Sequence, residues 1–454
     1  MRTIRLHDTR SGELVALRPR RGREVGVYAC GPTVYARIHV GNARPYVVFS
    51  LLKRFLEREG YAVTLVVNVT DVNDKIYDAA RELGVASAQL AEEMIARYRE
   101  DTDALGLGRP DHEPLASAAV PGIVALIEEL VARGHAYAVE GDVYFRVRSD
   151  PSYGSLSGRS VDDMDQGEDL EGAGRKEDPL DFALWKARKP GEDTAWEAPW
   201  GTGRPGWHIE CSAMAEDLLG VGFEVHGGGS DLVFPHHENE AAQTRCARDA
   251  ELAQVWLHNG MLQLGEQKMA KSLGNVAALH EVLARWGRDV LVLFLCGAKY
   301  REPVLFDDRT LGAAQAQVRR LRDAARRLAD GPSPSDMAEH REAFFDALAD
   351  DFNTPEALGH LHAWVREANR RPGPVGRADL AQMLDALGLA NLADPLLDAG
   401  PGATAEDLEL LERRVEARAR RDFGEADRLR DELRARGWEV RDGPQGAELV
   451  PAGG

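Results

Sequence analysis

Cysteine is scarce in this chain: four occur in 454 residues, Cys30, Cys211, Cys246 and Cys296. So sparse a set excludes a disulfide scaffold and suits a reducing compartment, where a thiol is buried, catalytic or metal-bound. No apolar run is long enough to cross a bilayer, and the first eight residues carry charge without the apolar centre of a secretory signal. These absences predict a cytoplasmic protein that does not enter a membrane. Positive charge is also short, with 56 Lys and Arg against 75 Asp and Glu and a formal net charge of −19. That excludes a surface coated in positive potential, but local basic patches suffice for nucleic acid. Two candidates exist: Arg18, Arg20, Arg21 and Arg23, and the helical group Arg319, Arg320, Arg322, Arg326 and Arg327. Each reads equally well as a solvated face. Internal repeats and low-complexity tracts are absent too.

What is present is ordinary in bulk: 44% hydrophobic and 29% charged residues, in a length that suits two to four domains. Val25 to Ala29 reads as a short strand entering a Cys30-Gly31-Pro32 turn. Val47, Val48, Leu51, Leu52, Phe55 and Leu56 then recur at helical spacing until Gly60, and Val63 to Val69 is a β-branched run. Strand, helix and strand in this order imply a right-handed parallel βαβ unit, with its ligand crevice beyond the carboxyl ends of the strands. Ala86 to Glu100 and Val120 to Arg133 read as amphipathic helices. Between about Tyr137 and Pro205 the chain turns rich in Asp, Glu, Gly and Pro, as an insertion would, and the sheet resumes with Trp207 to Leu219 and Phe223 to His226. From Leu279 the pattern is helical. A last segment holds an arginine-rich helix, Asp407 to Arg436, and a strand pair, Trp438 to Arg441 with Glu448 to Pro451.

Four short motifs carry chemistry. In His39-Val40-Gly41-Asn42, glycine permits close approach of backbone to phosphate, and a helix starting there directs free N–H groups at an anion. Gly227, Gly228 and Gly229, with Asp231 close behind, follow a strand; they suit passage under a purine ring, a phosphate nest or an ordinary flexible loop. Cys30, Cys211, His236 and Glu240 offer sulfur, nitrogen and oxygen ligands for zinc, the last two at i and i+4 behind Pro235. His237 and Glu238 compete as ligands. Lys268 and Lys271, in Lys-Met-Ala-Lys-Ser, place two ammonium groups in a loop able to clamp a triphosphate.

Tyr28 to Tyr35, His39 to Asn42, Asn68 to Lys75, Gly206 to Met214, His226 to Glu240 and Lys268 to Asn275 together resemble the cysteinyl-tRNA synthetases, a class I family. The resemblance runs from about Tyr28 to the end. It implies an α/β Rossmann-type parallel sheet with an insertion, followed by a helical bundle and a small C-terminal α+β domain. It divides the chain into catalytic halves at 1–120 and 200–260, an inserted domain at 121–199, a stem-contact region with the lysine loop at 261–312, a tRNA-binding bundle at 313–392 and an anticodon-binding domain at 393–454. The implied reaction activates L-cysteine with MgATP to cysteinyl-adenylate, then transfers it to the terminal adenosine of tRNA(Cys); the implied state is a monomer.

The resemblance also assigns residues. Cys30, Cys211, His236 and Glu240 would hold one Zn2+ that takes the substrate thiolate. Cys30, Thr70 and Trp207 would bind cysteine. His39, Asn42, Lys268 and Lys271 would act in catalysis. ATP would lie against His39, Gly41, Asn42, Gly227, Gly228, Gly229, Asp231, Lys268 and Lys271, with Mg2+ accompanying the nucleotide. Two departures stand out: Asn42 where such enzymes often have a second histidine, and Ala270 where they often have serine. Two rival readings share much of this set. One is a cysteine ligase whose acceptor is an amino sugar, and the other a non-catalytic zinc and RNA-binding relative.

Overall fold

The computed structural model describes residues 2–164, 174–264, 267–268, 277–395, 405–443 and 446–451. An antiparallel hairpin, β1 (Arg5–Asp8) and β2 (Glu13–Ala16), comes first. β3 (Glu24–Ala29), α1 (Val40–Arg58) and β4 (Ala62–Val67) follow as a parallel βαβ unit, in register from Glu24↔Ala62 to Ala29↔Val67. Helices α2 (Asp74–Leu83), α3 (Ser87–Asp103) and α4 (Val120–Ala132) lead to a separate antiparallel sheet of β5 (Ala136–Val139), β6 (Asp142–Phe145), β7 (Phe182–Ala187) and β8 (Gly203–Pro205).

The chain then returns through α5 (Trp207–Leu219), β9 (Phe223–Gly229), α6 (Glu238–Arg248) and β10 (Ala253–Asn259). The sheet does not resume at Trp207, as the sequence suggested. That stretch is a helix bracketed by Gly206 and Gly220, and the run Ala213-Met214-Ala215 inside it favours helix.

The main sheet has the order β10-β9-β3-β4, all parallel. The chain leaves β3 toward β4 on one side and later adds β9 and β10 on the other. A topological switch point therefore lies between β3 and β9, where a crevice opens beyond the carboxyl ends. Both edges are covered. Beside β4, Val67 N–H donates to the His112 carbonyl at 3.0 Å; beside β10, the Trp256 N–H donates to Asp8 Oδ1 at 2.9 Å.

Beyond β10 come β11 (Leu262–Leu264) and β12 (Gln267–Lys268), then α7 (Leu279–Trp286), α8 (Arg288–Cys296) and β13 (Val304–Leu305), which pairs with β11. A helical region follows: α9 (Asp308–Arg327), α10 (Ala338–Ala349), α11 (Thr354–Arg370) and α12 (Ala378–Ala386). One apolar cluster runs from Val27 and Phe55 through Leu291 and Phe306 to Phe344, Trp364 and Leu384, so the helical region and the sheet share a core. No described helix is long and apolar enough to cross a membrane.

The last segment is α13 (Ala405–Ala419), α14 (Phe423–Ala435), β14 (Trp438–Gly443) and β15 (Gly446–Pro451). The expected strand pair is present, with Trp438 opposite Pro451. The expected single helix from Asp407 to Arg436 is two. Arg421 takes a left-handed φ of 62°, and the Asp422 side chain caps the second helix by accepting from the Glu425 N–H at 3.1 Å.

Candidate active site

The switch point gathers the four residues expected to ligate a metal. Cys30 follows β3 directly, and its turn is tight: a Cβ on Gly31 would lie 1.8 Å from the Asn68 carbonyl oxygen. Cys211 sits in α5, whose start at Gly206 packs so closely that a Cβ there would lie 2.0 Å from the Ala183 oxygen. His236 precedes α6 and Glu240 lies in its first turn. The four ligand atoms lie within 4.8 Å of one another. Cys30 Sγ is 3.7 Å from Cys211 Sγ and 3.6 Å from Glu240 Oε1, and His236 Nε2 is 3.0 Å from the same oxygen. Two thiolates at about 2.3 Å from a tetrahedral zinc would stand roughly 3.8 Å apart, and a sulfur and an oxygen about 3.5 Å. In donor chemistry and spacing these residues fit the ion.

A second quartet shares two of these members: Cys30, His226, His237 and Glu240. His226 Nε2 lies 3.7 Å from Cys30 Sγ, and His237 Nε2 lies 3.3 Å from it. The sequence offered His237 as a competing ligand but gave His226 no role; its place just before the glycine triplet was the only signal. Glu238, the other competitor, faces away, accepting from the Ser157 N–H at 2.8 Å and from Ser157 Oγ at 2.9 Å.

Aromatic and imidazole rings back the ligands. Trp207 stacks on His236 with centroids 4.2 Å apart, and His208 Nδ1 meets His236 Nδ1 at 2.9 Å. His237 Nδ1 contacts His258 Nε2 at 2.7 Å, and His258 Nδ1 contacts Thr9 Oγ1 at 2.7 Å. Thr70 Oγ1 donates to Glu210 Oε2 at 3.1 Å, so the hydroxyl predicted to touch substrate is anchored by a buried carboxyl beside Cys211 that the sequence did not single out.

Burial dominates the electrostatics. It pushes the Cys30 thiol and the Glu240 and Glu210 carboxyls well up, and the His236 and His237 imidazoles well down. His208, His226 and His258 fall to about 3 for the same reason. These groups are neutral by themselves. A divalent cation reverses the preference at sulfur and carboxylate, so binding releases protons.

The motifs expected to meet nucleotide lie on the same side. His39 is the residue before the first turn of α1, and its N–H donates to Asn42 Oδ1 at 3.2 Å, giving Asn42 a capping role. The chain just after the lysine loop pairs with this corner: Val40 N–H donates to the Ala277 carbonyl at 3.0 Å, and Leu279 N–H to that of Ile38 at 3.1 Å. The Lys268 backbone pairs with Gln263 in β11, and Lys271 lies outside the described residues. Gly227, Gly228 and Gly229 form no loop. They end β9, opposite Leu257, His258 and Asn259. A Cβ on Gly227 would lie 2.6 Å from the Phe49 ring of α1, and one on Gly229 would lie 2.5 Å from Asp231 Oδ1. Gly41 lies in the first turn of α1.

Some expected basic surface is structural instead. Arg20 donates to Glu224 Oε1 at 3.2 Å and to the Leu219 and Val221 carbonyls. Arg322 pairs with Asp289 at 3.0 Å, and Arg414 pairs bidentately with Asp442.

Residues 16–316 match the family model of the class I (C) tRNA synthetase catalytic domain, 343–395 a DALR domain, and 400–448 the cysteinyl-tRNA ligase anticodon binding domain. The chain is 46% identical to a cysteine–tRNA ligase of Alkalilimnicola ehrlichii, covering 98% of each. The chain belongs to the cysteine–tRNA ligase family. A second member, from Geobacillus thermodenitrificans, is 41% identical, again over 98% of each chain. Among solved structures, Mycobacterium tuberculosis methionyl-tRNA synthetase in complex with methionyl-adenylate is similar in fold, with a TM-score of 0.60 over 86% of this chain and 94% of that one, at 16% identity.

Proposed function

We infer that this protein activates L-cysteine with ATP, releasing pyrophosphate, and transfers the cysteinyl group to the 3′-terminal adenosine of tRNA(Cys). The observation that carries this reading is the family match continuing through the anticodon-binding region, residues 400–448. A ligase for an amino sugar has no use for that region, and a non-catalytic relative has no need of the ATP motifs.

Activation calls for alignment and charge neutralisation more than for a protein nucleophile. We assign Cys30, Cys211, His236 and Glu240 to one Zn2+. An ion held by these four residues would supply a preference for thiolate sulfur, which serine's hydroxyl matches poorly and alanine's methyl not at all, so selection would need no editing. Trp207, stacked on His236, and Thr70, held by Glu210, wall the amino-acid pocket. The N-terminal N–H groups of α1, with His39 and the turn at Gly41 and Asn42, receive phosphate. Lys268 and Lys271 neutralise charge on the departing pyrophosphate, and Mg2+ would accompany the incoming ATP. Gly227 to Gly229, at the carboxyl end of β9, lie beside the adenosine, with Asp231 next to them. The helices of 313–392 and the segment 393–454 take the tRNA. The protein acts as a monomer in the cytoplasm.

Charging of a cysteine tRNA by the purified protein with labelled cysteine and MgATP tests the reading. Alkali-labile cysteinyl-tRNA is the expected product. Cysteine-dependent pyrophosphate exchange without charging would replace it with the small-molecule ligase, and loss of both would leave only the non-catalytic relative.

A further inference from the structure

Between α8 and β13 the segment 299–302 is gripped from two sides. On one side is Arg44, in α1 two residues beyond Asn42 and 1% exposed. Its guanidinium donates to main-chain carbonyls: Gly260 at 2.5 Å, Met261 at 3.2 Å, Lys299 at 3.3 Å and Glu302 at 2.7 Å. On the other side is Asp351, in the turn between α10 and α11. Its carboxylate accepts from Tyr300 Oη at 2.8 Å, from Arg301 Nε at 2.8 Å and Nη2 at 2.7 Å, and from the His7 N–H at 3.0 Å.

The turn itself is strained. Asp351 and Phe352 are successive side-chain-bearing residues with φ of 64° and 47°, a conformation that persists only where surroundings enforce it. Phe352 is buried against Phe55 of α1, with centroids 6.1 Å apart. The gripped segment in turn fixes the corner after β10: Gly260 N–H donates to the Tyr300 carbonyl at 2.7 Å, and a Cβ on Gly260 would lie 2.3 Å from the Glu302 oxygen. From that corner β11 runs on to pair with β12, which ends at Lys268.

We propose that Asp351 and Arg44 are positioning residues acting through the segment 299–302. Together they hold the phosphate-facing start of α1 and the β11–β12 hairpin in one arrangement, and they make that arrangement depend on the seating of the helical region. The two side chains share no hydrogen bond with each other; they are linked through the segment, and beside it through the Phe352–Phe55 contact on the helix that carries Arg44. The kinetic half of the test rests on the function inferred above; the structural half does not.

The test uses the full-length chain with Asp351→Asn, Arg44→Lys and their combination. Hydrogen exchange in Asp351→Asn should quicken at the Gly260 amide and in the first turns of α1; unchanged rates there would overturn the proposal whatever the protein catalyses. In cysteine-dependent pyrophosphate exchange each single variant should lower kcat by about 10-fold or more, since small misplacements of reacting groups are costly. KM for cysteine and zinc content should hold. The double variant should lose less than the product of the two single effects, the mark of coupled sites. Independent effects that multiply, or a lowered Tm with kcat intact, would overturn it. Arg301→Lys keeps charge but loses the two-pronged pairing, and should repeat the Asp351→Asn pattern should Arg44→Lys fail to fold. A wild-type protein without exchange activity would refute the inferred function alone and leave the hydrogen-exchange result to decide the clamp.

Discussion

Glu238 and Glu240 lie two residues apart, both fully buried, and their carboxylates serve different partners: Ser157 for the first, the Cys30 and His236 cluster for the second. Their conservative substitutions therefore separate. Glu240→Gln should lose most bound zinc and at least about 10-fold in metal affinity, the scale seen even when a supporting group alone is removed. Glu238→Gln should retain zinc and show its effect in Tm; metal analysis of the two purified variants decides it, and zinc loss in Glu238→Gln would contradict the orientation described. The sequence could nominate both because i, i+4 spacing from His236 and simple adjacency are visible in a string. It could not choose between them, because the choice depends on Ser157 in a loop 81 residues away. For the same reason Glu210 and His226 passed without roles. Nothing local distinguishes a carboxyl that anchors Thr70 from any other acid on a helix.

Among elements, α1 carries the most weight. Its first turn faces the crevice, its middle packs Phe49 against Gly227, and Phe55 reaches Phe352 in the helical region. Phe55→Ala should destabilise the chain by about 3–5 kcal/mol, with thermal unfolding as the measure. A loss under about 1 kcal/mol would mean that the sheet and the helical region do not depend on one core. α1 and the β3–β4 unit were legible because their patterns have local periods and both faces of the strands are apolar. α5 was misread as sheet because a helix buried on nearly every side, from His208 to Ala215, shows no polar stripe to reveal its period. The break between α13 and α14 was missed because arginines continue through it. The decisive events there are one left-handed residue and one capping aspartate, neither visible to a count of charge.

For the molecule as a whole the charge balance is acidic, and one carboxylate ties the last segment together. Asp442 in β14 pairs with Arg414 and Arg418 of α13; hydrogen bonds from Arg414 are the main cause that holds its carboxyl down to about 2 from the usual 3.8. Because the folded value lies below the unfolded one, the stabilisation is complete above the unfolded value and is lost as pH falls through about 2. Amide protection in α13 of the wild type should therefore exceed that of Asp442→Asn at neutral pH, and the gap should close between about pH 4 and pH 2. A gap that stays constant over this interval would show that the pair contributes nothing there. At this scale the order of motifs along the sequence revealed more than any single motif, since Cys30 and Cys211, 181 residues apart, meet only once β3 and α5 share the switch point. Which arginines are committed to packing was not legible: Arg414 is buried against Asp442 yet carries the same letter as exposed Arg413, and only the carboxylate opposite it tells the difference.

The contacts from Thr9 through His258 and His237 to Cys30 obey a strict rule of direction. Each imidazole is neutral and so owns one ring proton, and a thiolate at Cys30 can only receive. With the sulfur ionised, one arrangement satisfies every link: the Thr9 hydroxyl gives to His258 Nδ1, His258 Nε2 gives to His237 Nδ1, and His237 Nε2 gives to sulfur. Three dipoles then line up head to tail, all aimed at the same atom. The sulfur, able only to receive, thereby fixes the direction of a row whose far end is the hairpin that opens the chain, like dominoes that can fall one way.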